Sequence, residues 1–100
     1  MKKLIFILIL SSVIAIAFTQ EKVSISGKII SSEGEAIPFA SIIIQNTYLG
    51  TSADLEGNYK ISKIPLGIYQ IEATAIGFKN SIEKIDLTKD QVIDFILEPF

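Results

Sequence analysis

From Lys22 onward, apolar and polar residues alternate with period two, the repeat of a half-buried strand and not the 3.6 of a helix. Val23, Ile25, Gly27 and Ile29 alternate with Ser24, Ser26 and Lys28. Ser31 to Glu35 (SSEGE) then reads as a polar glycine turn. After Pro38, residues Ala40, Ile42 and Ile44 alternate with Ser41, Ile43 and Gln45, and the β-branched residues that dominate this run suit a pleated, buried surface. A turn over Asn46–Gly50 and a short strand over Thr51–Asp54 follow. Asn58 to Ile64 is the next strand, with Tyr59 and Ile61 on one face, and Pro65-Leu66-Gly67 breaks it. Tyr69, Ile71, Ala73 and Ala75 make the most regular alternation, which Gly77-Phe78 ends. Ile82–Leu87 and Gln91–Leu97 complete the set.

A helix over Asp86–Ile96 is the one competing assignment, since Leu87, Val92, Ile93 and Ile96 have partial i, i+4 spacing. The segment is short and β-branched, which favours strand. Seven short strands separated by turn signals predict an all-β chain: a seven-stranded antiparallel Greek-key β-sandwich forming one domain over residues 20–100.

The start of the chain has a different pattern. Met1-Lys2-Lys3 is followed by apolar runs at Leu4–Leu10 and Val13–Phe18, with small residues at Ala17 and Thr19. This is the layout of a signal peptide over residues 1–19, cut before Gln20, and it predicts export to the periplasm, outer membrane or medium. An uncleaved anchor is the alternative, but the run falls short of the roughly 20 apolar residues that span a bilayer.

Composition narrows the chemistry. There is no cysteine, so the domain has no disulfide staples, thiol nucleophile or thiolate metal site. There is no histidine either, which excludes Ser-His-Asp triads and histidine-held zinc. Without the leader, seven lysines face eleven acids and arginine is absent, a balance that argues against nucleic-acid binding.

The stretch ADLEGNY (Ala53–Tyr59) is the candidate for a metal site, because Asp54, Glu56 and Asn58 alternate as calcium ligands do. The twelfth position from Asp54 is Pro65, which has no ligating side chain, and strands flank the loop where an EF-hand needs helices. The stretch therefore reads as a hairpin turn, with Gly57 taking a positive φ and Asp54 capping the turn. The acids Glu33, Glu35, Glu83, Asp86, Asp90 and Asp94 read as solvated surface and not as a glycosidase pair, which must stand roughly 5–9.5 Å apart across a cleft. No catalytic residue and no cofactor is expected. Among the aromatics Phe39, Tyr48, Tyr59, Tyr69, Phe78, Phe95 and Phe100, the tyrosines Tyr59 and Tyr69 are expected in the core. Tyr48, in a polar turn, is the expected contact residue.

In order along the chain, ISGKII, SEGEAIPFASIII, GTSADLEGNYKIS, LGIYQIEATAIGF and FILEP resemble the carboxypeptidase-regulatory-like domain. That is a transthyretin-like sandwich of exported Bacteroidetes proteins, often the N-terminal extension of TonB-dependent, SusC-like outer-membrane receptors. Ala53 and Phe78 stand where the family often has threonine and tyrosine. The resemblance implies a non-catalytic accessory domain with a protein partner, such as a receptor barrel, its plug or another envelope protein. Outer-membrane association would then come through a larger chain or a partner. A free-standing module binding peptide or glycan is the alternative.

Overall fold

A computed structural model describes residues 21–100, so the leader expected over residues 1–19 lies outside the described part. The described residues hold strands and no helix: β1 (Lys22–Ser31), β2 (Ser41–Ile44), β3 (Gly50–Ser52), β4 (Asn58–Pro65), β5 (Gly67–Thr74), β6 (Ser81–Leu87), β7 (Gln91–Val92) and β8 (Phe95–Leu97). The segment with partial helical spacing is the end of β6 followed by β7 and β8.

One sheet runs β4-β1-β7, with β8 also beside β1, and the other runs β3-β2-β5-β6. The β2–β3 and β5–β6 pairs are successive in sequence, whereas β1–β4, β1–β7, β1–β8 and β2–β5 join strands distant in sequence, as expected of a Greek-key sandwich. The alternating positions close the space between the sheets. Ile25, Ile29 and Ile64 face Ile42, Ile44, Ile71 and Ala73, and Leu87, Phe95 and Leu97 seal the gap, all of them buried. Each isoleucine, leucine or phenylalanine among them contributes roughly 1.5–3 kcal/mol on burial.

Two details depart from plain alternation. First, β1 pairs antiparallel with β4 but parallel with β7 and β8. The chain reaches this edge by crossing from the other sheet after β6, so no hairpin constrains its direction. Second, the β1–β4 register shifts between Val23 and Ile25, and Lys63 takes φ 59°. That bulge turns Ile64 inward after Tyr59 and Ile61, where strict period two would have turned Lys63 inward.

The last strand is expected over Gln91–Leu97 but is split at Ile93-Asp94. The cause is Gly27, which sits at an inward-facing position of β1 and has no side chain. The Ile93 carbonyl occupies the vacated space: a Cβ on Gly27 would lie only 2.0 Å from that oxygen. Ile93 N–H donates to the Ser26 carbonyl (2.8 Å), and the Tyr59 hydroxyl donates to the Ile93 carbonyl. Asp90 and Asp94 clasp the same edge, their Oδ1 atoms accepting the backbone N–H of Ser24 (2.9 Å) and Lys28 (2.8 Å). These two acids are structural hydrogen-bond acceptors and more than solvated surface.

Candidate functional site

The turn at Asp54–Gly57 is held by its own acid. Asp54 Oδ1 accepts the backbone N–H of Glu56 and of Asn58, both at 2.9 Å, and Asp54 N–H donates to the Asn58 carbonyl at 2.9 Å. Gly57 has φ 81°, and a Cβ there would meet the Ile29 carbonyl at 2.6 Å. The side chains of Glu56 and Asn58 are exposed, and no group of three or more acids among the described residues could hold a metal ion. Tyr48 projects fully into solvent (109% exposed) from the β2–β3 hairpin, at the end of the sandwich opposite to this turn. Tyr59 and Tyr69 pack with the core and donate their hydroxyls to the Ile93 and Pro65 carbonyls. Burial, followed by the nearby Asp94 charge, pushes the Tyr59 phenol well above its ordinary value.

The end of the sandwich where β1 finishes and β2 and β4 begin carries a feature the periodicity does not reveal. Phe39 lies in the left-handed region (φ 61°) and is 67% exposed. Its N–H donates to the Ala53 carbonyl (3.1 Å), while Ala53 N–H donates to the Ala40 carbonyl (2.8 Å). Two residues thus oppose one, and Phe39 holds the first position of a β-bulge that glycine ordinarily fills. A bulky side chain there costs about 1–2 kcal/mol of backbone strain. In this conformation the ring projects outward, into solvent.

Ile76 (102% exposed) stands beside it, and Leu55 (73%) and Phe100 (89%) are exposed on the same end, two residues from Ala53 and hydrogen-bonded to Gly77 respectively. Phe39, Ser41, Thr74, Ala75 and Ile76 line a hollow of about 390 Å³. Beyond the Pro38-Phe39 ridge, Ile37, Pro38, Phe78 and Pro99 form a smaller cleft of about 160 Å³, with Glu33 and Glu35 on its wall. The Ser31 hydroxyl accepts the backbone N–H of both Glu33 (3.2 Å) and Glu35 (3.3 Å), which fixes the loop that presents those acids. Exposed apolar groups gathered this way mark an interaction surface. Sequence reading names Phe39 only as one aromatic among seven. Nothing in PFA signals a bulge, because the residue in the glycine position is not a glycine.

A second, polar groove of about 320 Å³ lies on the outer face of the β3-β2-β5-β6 sheet. Register sets Gln70 opposite Lys84, and Gln45 N–H bonds the Gln70 carbonyl, so Gln45, just past the end of β2, forms one row with Gln70 on β5 and Lys84 on β6.

The CarboxypepD_reg-like domain family matches residues 25–99. Among solved structures, a chain of a type II cohesin–X-dockerin complex from Acetivibrio cellulolyticus is similar, with a TM-score of 0.66 at 14% identity. The likeness covers 75% of this chain and 56% of that one. A DUF3823 family protein from Bacteroides ovatus is similar with a TM-score of 0.60 at 18% identity, over 80% of this chain and 46% of that one. Chlorocatechol 1,2-dioxygenase from Pseudomonas putida gives 0.62 at 13% identity, over 79% and 61%. The chain therefore spans less than two thirds of these neighbours, and at such identities the likeness shows the fold alone. Comparison with curated proteins gives no match.

Proposed function

Because the chain belongs to the CarboxypepD_reg-like domain family, we propose that it is a non-catalytic accessory module that docks an envelope protein through its apolar end. The observation that carries this reading is Phe39, an exposed aromatic in a strained bulge position where glycine would cost nothing. Domains of this kind are typical of extracellular and envelope proteins. Their β-sandwich neighbours include a chain of a cohesin–dockerin complex.

The finer setting we propose is the N-terminal extension of a TonB-dependent outer-membrane receptor, exported behind a leader cut before Gln20. The partner would be the receptor's barrel or plug, or another envelope protein. The sequence motifs quoted above support this setting. A photo-crosslinking residue placed at Phe39 in cells tests it, with Lys60 on the opposite sheet as control. Crosslinks from position 39 alone to one envelope protein are expected, whereas equal labelling from both positions would refute the reading. The polar row Gln45–Gln70–Lys84 favours the second reading, a free-standing glycan- or peptide-binding module. Saturable binding of a neutral oligosaccharide that is lost in Gln70→Ala would favour it over the first.

A further inference from the structure

The apolar end is not electrically neutral, and its charge says what it can bind. Glu33 and Glu35 wall the Pro38–Phe78–Pro99 cleft, and Glu98 precedes Pro99. Glu56 flanks Leu55 on the neighbouring turn. Against these acids stands Lys79, whose N–H donates to the Glu98 carbonyl (2.8 Å). Among the described residues, no side-chain hydrogen bond occupies the carboxylates of Glu33, Glu35 or Glu56. A second copy of this face would bring like charges together around the apolar groups, which disfavours self-association.

The two hollows adjoin, since Pro38 lines one and the next residue, Phe39, lines the other. They differ in chemistry. The larger is flanked by Phe39 and Ile76 and suits an aliphatic or aromatic side chain. The smaller joins apolar walls to two glutamates, which suits a lysine or arginine whose stem packs on proline and phenylalanine while its head meets carboxylate.

Resting on the reading of this end as a protein-contact surface, we infer that its ligand is an exposed basic–apolar segment of a partner protein. That segment sets an apolar side chain against Phe39 and Ile76 and a cationic one between Glu33 and Glu35. The left-handed backbone at Phe39 then has a function, for it holds the ring out at the larger hollow, where the apolar side chain of such a segment meets it.

The test uses a short capped peptide of alternating lysine and leucine, with its glutamate–leucine and lysine–serine counterparts, titrated against the protein by NMR. The lysine–leucine peptide should bind saturably, with shifts confined to residues around Phe39, Ile76 and Phe78. Each counterpart should bind at least about tenfold more weakly, and added salt should weaken the interaction. Glu33→Lys with Glu35→Lys should reduce affinity by about tenfold or more. Phe39→Gly should abolish binding while leaving the melting temperature unchanged or raised, so that loss of binding is separated from loss of fold. If Phe39→Gly abolishes binding but charge reversal does not weaken it, the basic partner is wrong and the contact surface stands. If Phe39→Gly binds as well as the parent, the contact surface itself is wrong. No binding of any of the three peptides, or equal binding of the glutamate–leucine peptide, would overturn the inference.

Discussion

Asp54 and Gly57 divide the work of one turn, and each can be tested without disturbing the other. Asp54→Ala removes an acceptor of two backbone N–H groups and should cost about 1–2 kcal/mol in chemical denaturation. Calcium should leave the melting temperature of both parent and variant unchanged, since the carboxylate oxygen is committed to the backbone; a calcium-dependent rise lost in the variant would reinstate a metal site. Gly57→Ala should cost more, because it adds left-handed strain and a Cβ at 2.6 Å from the Ile29 carbonyl. Tyr59 makes a different prediction. Its phenol is pushed up by burial and then by Asp94, so the folded state keeps a proton that the unfolded chain loses near a pKa of about 10. The resulting stability is fully present below that pH and is lost as pH rises above it. Tyr59→Phe should lower stability by about 1 kcal/mol at neutral pH through the lost bond to Ile93. It should also flatten the decline above pH 10 that denaturation of the parent would show. These residue roles differ in how far the sequence discloses them. A glycine immediately before a strand announces a turn, but Phe39 gives no such notice because its conformation contradicts its type.

At the scale of elements, the alternation in β1, β2 and β5 is readable because each inward position must be apolar to fill the sandwich. The edge formed by β7 and β8 is not readable in that way. Its path is set by Gly27, a residue in a different strand, through a backbone approach that no local pattern records. The clasp by Asp90 and Asp94 is hidden for the same reason, since acids at exposed positions look like solvated surface until the backbone N–H groups that donate to them are seen. Gly27→Ala should therefore be among the most damaging single substitutions. Its Cβ would displace the Ile93 carbonyl and take with it the Tyr59 and Asp94 bonds. Asp94→Ala should cost about 1–3 kcal/mol, and Asp94→Asn less, because the amide oxygen can still accept the Lys28 N–H. Hydrogen exchange gives the local readout. The Lys28 and Ile93 amides should lose protection in Asp94→Ala, while the β2–β5 ladder keeps its own. Equal loss throughout would mean that the edge is not a separable unit.

For the whole molecule, size and composition set the constraint. A chain of this length without cysteine must be held by apolar burial, and domains near this size are marginal in stability. Among the described residues, the buried apolar core runs from Val23 to Leu97 and joins both sheets. Residues 21–100 expressed alone should thus unfold in one cooperative transition, with coincident circular dichroism and fluorescence curves. Ile42 joins β2 to the centre of that core, opposite Ala73 on β5 and Thr51 on β3. Ile42→Ala should cost about 2–5 kcal/mol, a large share of the 5–15 kcal/mol available to a small domain, and leave a substantial unfolded population at physiological temperature. Phe39→Gly is the counterpart at the surface, removing a larger side chain with no loss of stability because the ring packs against solvent and its backbone is strained. The contrast between the two substitutions, measured in one denaturation series, separates the residues that hold the sandwich together from those it holds out for a partner. A Phe39→Gly variant destabilised as much as Ile42→Ala would place the ring in the core and remove the basis for a contact surface.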